Sequence, residues 1–165
     1  MDDADLLIEE LNREDDLGAV VRSHIRLEQL LIKFVESRIQ KPSSLKRLSL
    51  DYDGYVALAL ALGLKADLGP LLNALGSLRN KFAHTLLAAL DSQAAKDLYS
   101  ALPSEDKVMV RHTYAAFRAR PANSWAPEKF SDLAPSDRFK FIAMAVWVSL
   151  ERELPQQSQE KASGA

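Results

Sequence analysis

Apolar residues recur at intervals of three and four along most of this chain, with polar residues between them. No stretch shows the alternation of period two that a half-buried strand requires. The clearest stripe is Val20, Val21, Leu27, Leu30, Leu31, Phe34, Val35 and Ile39. It predicts a helix of about six turns, capped at its start by Asp15 or Asp16 and ended by Pro42, Ser43 and Ser44. A shorter set, Leu6, Leu7, Ile8 and Leu11, predicts a preceding helix from Asp2 or Asp3 to about Asn12. After a basic connection bearing Lys41, Lys46 and Arg47, the run from Tyr52 to Leu62 predicts a buried helix stopped by Gly63. The next helix starts near Asp67-Leu-Gly-Pro70, since a proline loses nothing in a first turn. It presents Leu71, Leu72, Leu75, Leu78 and Phe82.

Three further helices complete the pattern. One runs from about Ser92 to Ala101 behind Asp91, and one from a Ser104 cap to about Arg118. The last runs from Ser136 to Glu153 with Phe139, Phe141, Ile142, Ala145, Val146, Val148 and Leu150. Between them, Arg120 to Pro135 holds three prolines and reads as a loop. The segment Arg47 to Tyr52 is too short to build a sheet. The fold expected is all-α: a single bundle of about six or seven helices over residues 1–154, followed by a disordered polar tail over 155–165.

Composition narrows the chemistry. With 165 residues the chain makes one domain, and its net charge of −2 excludes a protein that grips duplex nucleic acid by bulk charge alone. There is no cysteine, which removes disulfides and thiolate metal sites. His24, His84 and His112 are far apart in sequence, so neither a metal nor another cofactor is expected. The acidic start lacks the basic region of a signal peptide, and the longest apolar run, Val56 to Leu62, is far short of a membrane span. A cytoplasmic protein without membrane contact is expected.

Candidate chemistry is concentrated in Ser77-Leu-Arg-Asn-Lys-Phe-Ala-His84. On an ideal helix Asn80 and His84 share a face, and Arg79 lies about 100° from Asn80. Leu78 and Phe82 would anchor the segment in the core. Arginine holds phosphate oxygens in a fork and keeps its charge, while histidine gives or takes a proton near neutrality. Asn80 can orient either group. Together these suit cleavage of RNA without a metal, and two copies about a twofold axis would supply both an acid and a base. The same residue types near a helix C-terminus also complement the helix dipole, which is the plainer reading of the spacing alone.

The string Leu78-Arg79-Asn80-Lys81-Phe82-Ala83-His84 resembles the Arg-Asn-x-x-Ala-His signature of the HEPN superfamily. The stretch before it, through Leu62-Gly63-Leu64 and Asp67 to the Leu71–Leu78 helix, resembles the mannitol repressor-like branch, as does the long helix containing Leu27-Glu28-Gln29-Leu30-Leu31. The resemblance covers about residues 15–90. It implies a helical bundle that is often a homodimer, with Arg79, Asn80 and His84 as the catalytic set of a metal-independent endoribonuclease of toxin or defence type. Its substrate would be RNA and its partner an antitoxin protein. Leu86 stands where many such toxins carry a modifiable tyrosine. The mannitol repressor-like branch implies the alternative: a non-catalytic transcriptional regulator acting through a protein partner.

Two weaker features remain. His24 and Glu28, with Arg26 nearby, are one turn apart and could line the same cleft and orient His84, or form an ordinary half-buried pair. Lys107, Arg111, His112, Arg118 and Arg120, interleaved with Tyr114 and Phe117 and followed by Trp125, could track single-stranded RNA by charge and stacking; a solvated face over core aromatics is the simpler expectation. Trp147 reads as core.

Overall fold

The computed structural model describes residues 11–85 and 89–155. Among them are six α-helices: α1 (Asp16–Ser37), α2 (Tyr52–Ala61), α3 (Gly69–His84), α4 (Ser92–Ala101), α5 (Ser104–Arg118) and α6 (Pro135–Glu153). Short 3₁₀ turns at Pro42–Arg47, Ala66–Leu68, Pro121–Asn123 and Phe130–Asp132 join them, and no strand occurs among the described residues. The expected all-α bundle is present. Of the predicted first helix, Leu11 and Asn12 are helical and the rest lies outside the described residues, as does the tail beyond Pro155.

Helix α1 is the central element and packs on α2, α3 and α6; α6 in turn packs on α4 and α5. The reason is the width of its apolar stripe. Leu27, Leu31, Phe34 and Val35 are buried from one side, and they meet a core that includes Phe139, Ile142, Val146 and Leu150 of α6 and Leu71 and Leu72 of α3. Trp147 is buried in the same core.

The helix ends follow local rules, with some differences from expectation. Asp15, rather than Asp16, caps α1, accepting from the Gly18 N–H at 2.8 Å. Asp16 is a tie instead: its carboxylate accepts from the Leu90 N–H at 2.8 Å and from the Ser136 hydroxyl, joining α1 to the segments that open α4 and α6. Helix α1 stops at Ser37, earlier than Pro42, with Arg38 as its C-cap; Lys41, before the proline, is out of the helical region (φ −129°, ψ 75°). Ser104 is the first residue of α5 and not its cap. Pro103 holds the extended cap conformation, and Glu105 and Asp106 face the positive helix end.

Helix α2 closes with the Leu64 N–H bonded to Ala59 O at 2.9 Å and the Gly63 N–H to Leu60 O at 3.2 Å. Gly63 has φ 98°, the left-handed conformation that this closure needs. The expectation of a buried α2 is only partly met. Tyr52, Val56 and Ala59 are buried, but Ala57 and Ala61 are exposed because α2 meets α1 and α3 on one flank.

Candidate functional site

Helix α3 carries the Arg-Asn-x-x-Ala-His string along its last turns, from Arg79 to His84 as the final helical residue. Its inward flank is apolar: Leu75, Leu78 and Phe82 are buried. That burial fixes which way the polar residues turn, and Arg79, Asn80, Lys81 and His84 are all exposed. Arg79 Nη1 donates to Asn80 Oδ1 at 3.0 Å. Adjacent helical side chains normally diverge, so this bond draws the guanidinium and the amide together.

His84 lies one helical turn beyond Asn80 on the same flank of α3, and round the helix from Arg79. It is five positions on from Arg79, which on an ideal helix is about 140° of rotation and about 7.5 Å of rise. Among the described residues it makes no hydrogen bond, ion pair or ring contact. The structure thus bonds Arg79 to Asn80 within one chain, and no such bond joins either of them to His84 among the described residues. Lys81, by contrast, reaches Asp91 at 3.7 Å, in the manner of a cation at a helix C-terminus.

Behind Arg79 lies a group that joins three helices. His24 of α1 is buried and its ring lies 4.2 Å from that of Tyr52 on α2. Burial first, and the Arg79 charge second, lower the His24 pKa from 6.5 to about 4 against the opposing pull of Asp53. The imidazole is therefore neutral at pH 7 and adds no second cation beside Arg79. It serves Arg79's surroundings, and no hydrogen bond links it to His84. Tyr52 donates its hydroxyl proton to Leu72 O at 3.0 Å, and burial first, then Asp53 and Glu28, push its pKa upward. Its ring fits against α3 because residue 76 is glycine: a Cβ there would sit 2.9 Å from Tyr52 Cε1.

Tyr52 and Asp53 are the members that sequence reasoning missed. They come from another helix, so no spacing links them to Arg79. The one signal was Gly76, a small residue one turn before Asn80 that lets α2 approach. Among the described residues no cluster of three histidines or carboxylates could hold a metal ion, and no helix is long and apolar enough to cross a membrane. On the far side of the bundle, Tyr114 is buried and donates to Pro127 O at 2.6 Å, while Arg111, His112 and Arg118 are exposed.

No family model, curated protein or solved structure matches the chain.

Proposed function

We propose that this chain is a metal-independent endoribonuclease of the toxin or defence type, active as a homodimer in the cytoplasm. One observation carries the reading: Arg79, Asn80 and His84 stand exposed on a helix whose other flank is buried, and among the described residues none of the three side chains bonds to another helix. The resemblance of the string to the HEPN signature supports the same reading.

In this mechanism the paired guanidinium and amide of Arg79 and Asn80 hold the scissile phosphate. One His84 takes the proton of the ribose 2′-hydroxyl as its oxygen attacks phosphorus, forming the cyclic phosphate. The P–O5′ bond breaks, and the second His84 gives its proton to the leaving oxygen. A twofold axis near the end of α3 supplies both histidines, which one chain with a diverging Arg79 and His84 does not.

The test is cleavage of a mixed RNA pool by purified protein in EDTA, beside Arg79→Ala and His84→Ala. Both variants are expected to fold and to lose about 100-fold or more in rate. A folded dimer that leaves RNA intact points instead to the non-catalytic regulator, with the α3 motif as a surface for a protein partner.

A further inference from the structure

A cleft of about 540 Å³ opens between α5, α6, the loop that joins them and the Leu11–Asn12 segment ahead of α1, away from the α3 motif in sequence. Phe117 and Phe141 form its inner wall, locked edge to face at 5.5 Å and 84°. Trp125, from the loop, meets Phe117 edge to face at 6.1 Å and yet remains 62% exposed. Arg120 and Lys140 bring two cations to the same cleft and Asp137 one anion, which sits 3.5 Å from Lys140. Arg120 is exposed and has no carboxylate partner among the described residues.

Three features of the cleft select a ligand. Its volume lies in the range of small-molecule pockets, about 300–1,000 Å³. Its aromatic walls are held rigid by one another, and the tryptophan keeps most of its surface free for a planar ring. Its charge sums to +1 on a chain whose net charge is −2, so the local sign runs against the global one. An apolar peptide would use the walls and leave Arg120 idle; a bare anion would use Arg120 and leave Trp125 exposed. A ring joined to a phosphate uses both.

We infer that this cleft binds a nucleoside phosphate, its base stacked on Trp125 and its phosphate held by Arg120 with help from Lys140. The unit is either a free mononucleotide or one nucleotide of a single strand of RNA. The site does not depend on the Arg79–His84 motif, so it stands or falls separately from the nuclease reading.

Calorimetric titration of the full chain with AMP and with a single-stranded oligoadenylate, both in EDTA, tests it. His84→Ala protein is run in parallel so that cleavage does not intervene. Saturable binding is expected, unchanged in His84→Ala and weakened about tenfold or more by Trp125→Ala and by Arg120→Gln. Both side chains are exposed, so circular dichroism should show both variants folded. Oligoadenylate binding tighter than AMP by a margin that Trp125→Ala removes identifies a strand as the source; equal affinities identify the free nucleotide. AMP should also quench the fluorescence of Trp125 and leave the buried Trp147 of a Trp125→Phe protein unchanged. Absence of saturable binding by either probe overturns the inference. So does binding that both substitutions leave intact, or adenosine binding as tightly as AMP.

Discussion

The imidazole of His24 and the ring of Tyr52 lie 4.2 Å apart with their planes tilted by 41°. This contact fastens α1 to α2 beside the guanidinium of α3. Both residues are buried, and Tyr52 is held again by its hydrogen bond to Leu72 O. The exposed Arg79 thus rests on a rigid floor, with a histidine that stays uncharged at pH 7.

That floor should be sensitive to acid. The folded state keeps His24 neutral down to about pH 4, whereas in the unfolded chain it ionises near 6.5. Its contribution to stability is therefore complete above pH 6.5 and is lost as pH falls from 6.5 to about 4. The whole window is worth about 3 kcal/mol. Urea unfolding at pH 7 and at pH 4.5 should show a larger loss in the wild type than in His24→Gln, by about 2 kcal/mol. Equal losses in the two proteins would refute the assignment.

Charge near His24 offers a second, independent check. Arg79 opposes protonation of the ring and Asp53 favours it. Arg79→Ala should therefore move the His24 titration upward from about 4, and Asp53→Asn should move it further down. Proton NMR of the His24 ring resonances reads both shifts. Since Arg79 is exposed, the stability of Arg79→Ala at pH 7 should stay within about 0.5 kcal/mol of wild type. Any loss of ribonuclease activity in that variant is then chemical and not a folding defect.

The bundle was legible in the sequence because its helices are amphipathic, and the residues that mark their ends have direct physical roles. Asp15 and Asp91 each accept a backbone N–H three residues on, as does Asp51, which the sequence reading did not single out, and Gly63 takes the left-handed turn that closes α2. Leu78 and Phe82 read as the anchors of α3 and are buried, while the exposure of His84 was not legible from the spacing. Less visible was everything that depends on one helix meeting another. Tyr52 read as a helix start, yet its ring forms a contact among three helices. Trp125 read as a loop residue after a basic stretch, yet it closes an aromatic cleft with Phe117 and Phe141. Periodicity reports which face of a helix is buried and says nothing of the face it is buried against. The apolar run of α2 shows the limit from the other side, since Ala57 and Ala61 are as apolar as Ala59 and lie exposed.

At Gly76 the Tyr52 ring of α2 lies against the α3 backbone. A methyl group there would lie 2.9 Å from Tyr52 Cε1 and 3.1 Å from Cδ1. In an open helix Gly→Ala stabilises by about 1 kcal/mol, but overpacking a fixed ring costs about 1–3 kcal/mol. Gly76→Ala should therefore be destabilising by about 1 kcal/mol, the difference of the two. Replacing the ring as well, in Gly76→Ala with Tyr52→Leu, should turn the alanine into a gain relative to Tyr52→Leu alone. Thermal or urea unfolding of the four proteins closes the cycle, and additive effects would show that the two residues do not meet.

Asp106 provides the last case, at the join of α5 and α6. It is buried and its carboxylate accepts from Ser149 Oγ at 2.5 Å. Burial raises its pKa, and the hydroxyl of Ser149 pulls it back down, so the bond stabilises the charged form. Removing the donor in Ser149→Ala leaves the buried carboxylate without its side-chain partner and should cost about 2 kcal/mol at pH 7. Asp106→Asn keeps an acceptor for Ser149 and sheds the charge, so it should cost less. The two variants also separate with pH. A carboxyl whose folded pKa is raised takes its proton in the folded state first as pH falls. The deficit of Ser149→Ala should therefore shrink on acidification toward the ordinary carboxylate value of 3.8, while Asp106→Asn, which has nothing to protonate, shows no such recovery. Urea midpoints across pH 7 to 4 decide the matter, and a Ser149→Ala deficit that stays constant with pH would mean the hydroxyl serves packing and not the charge.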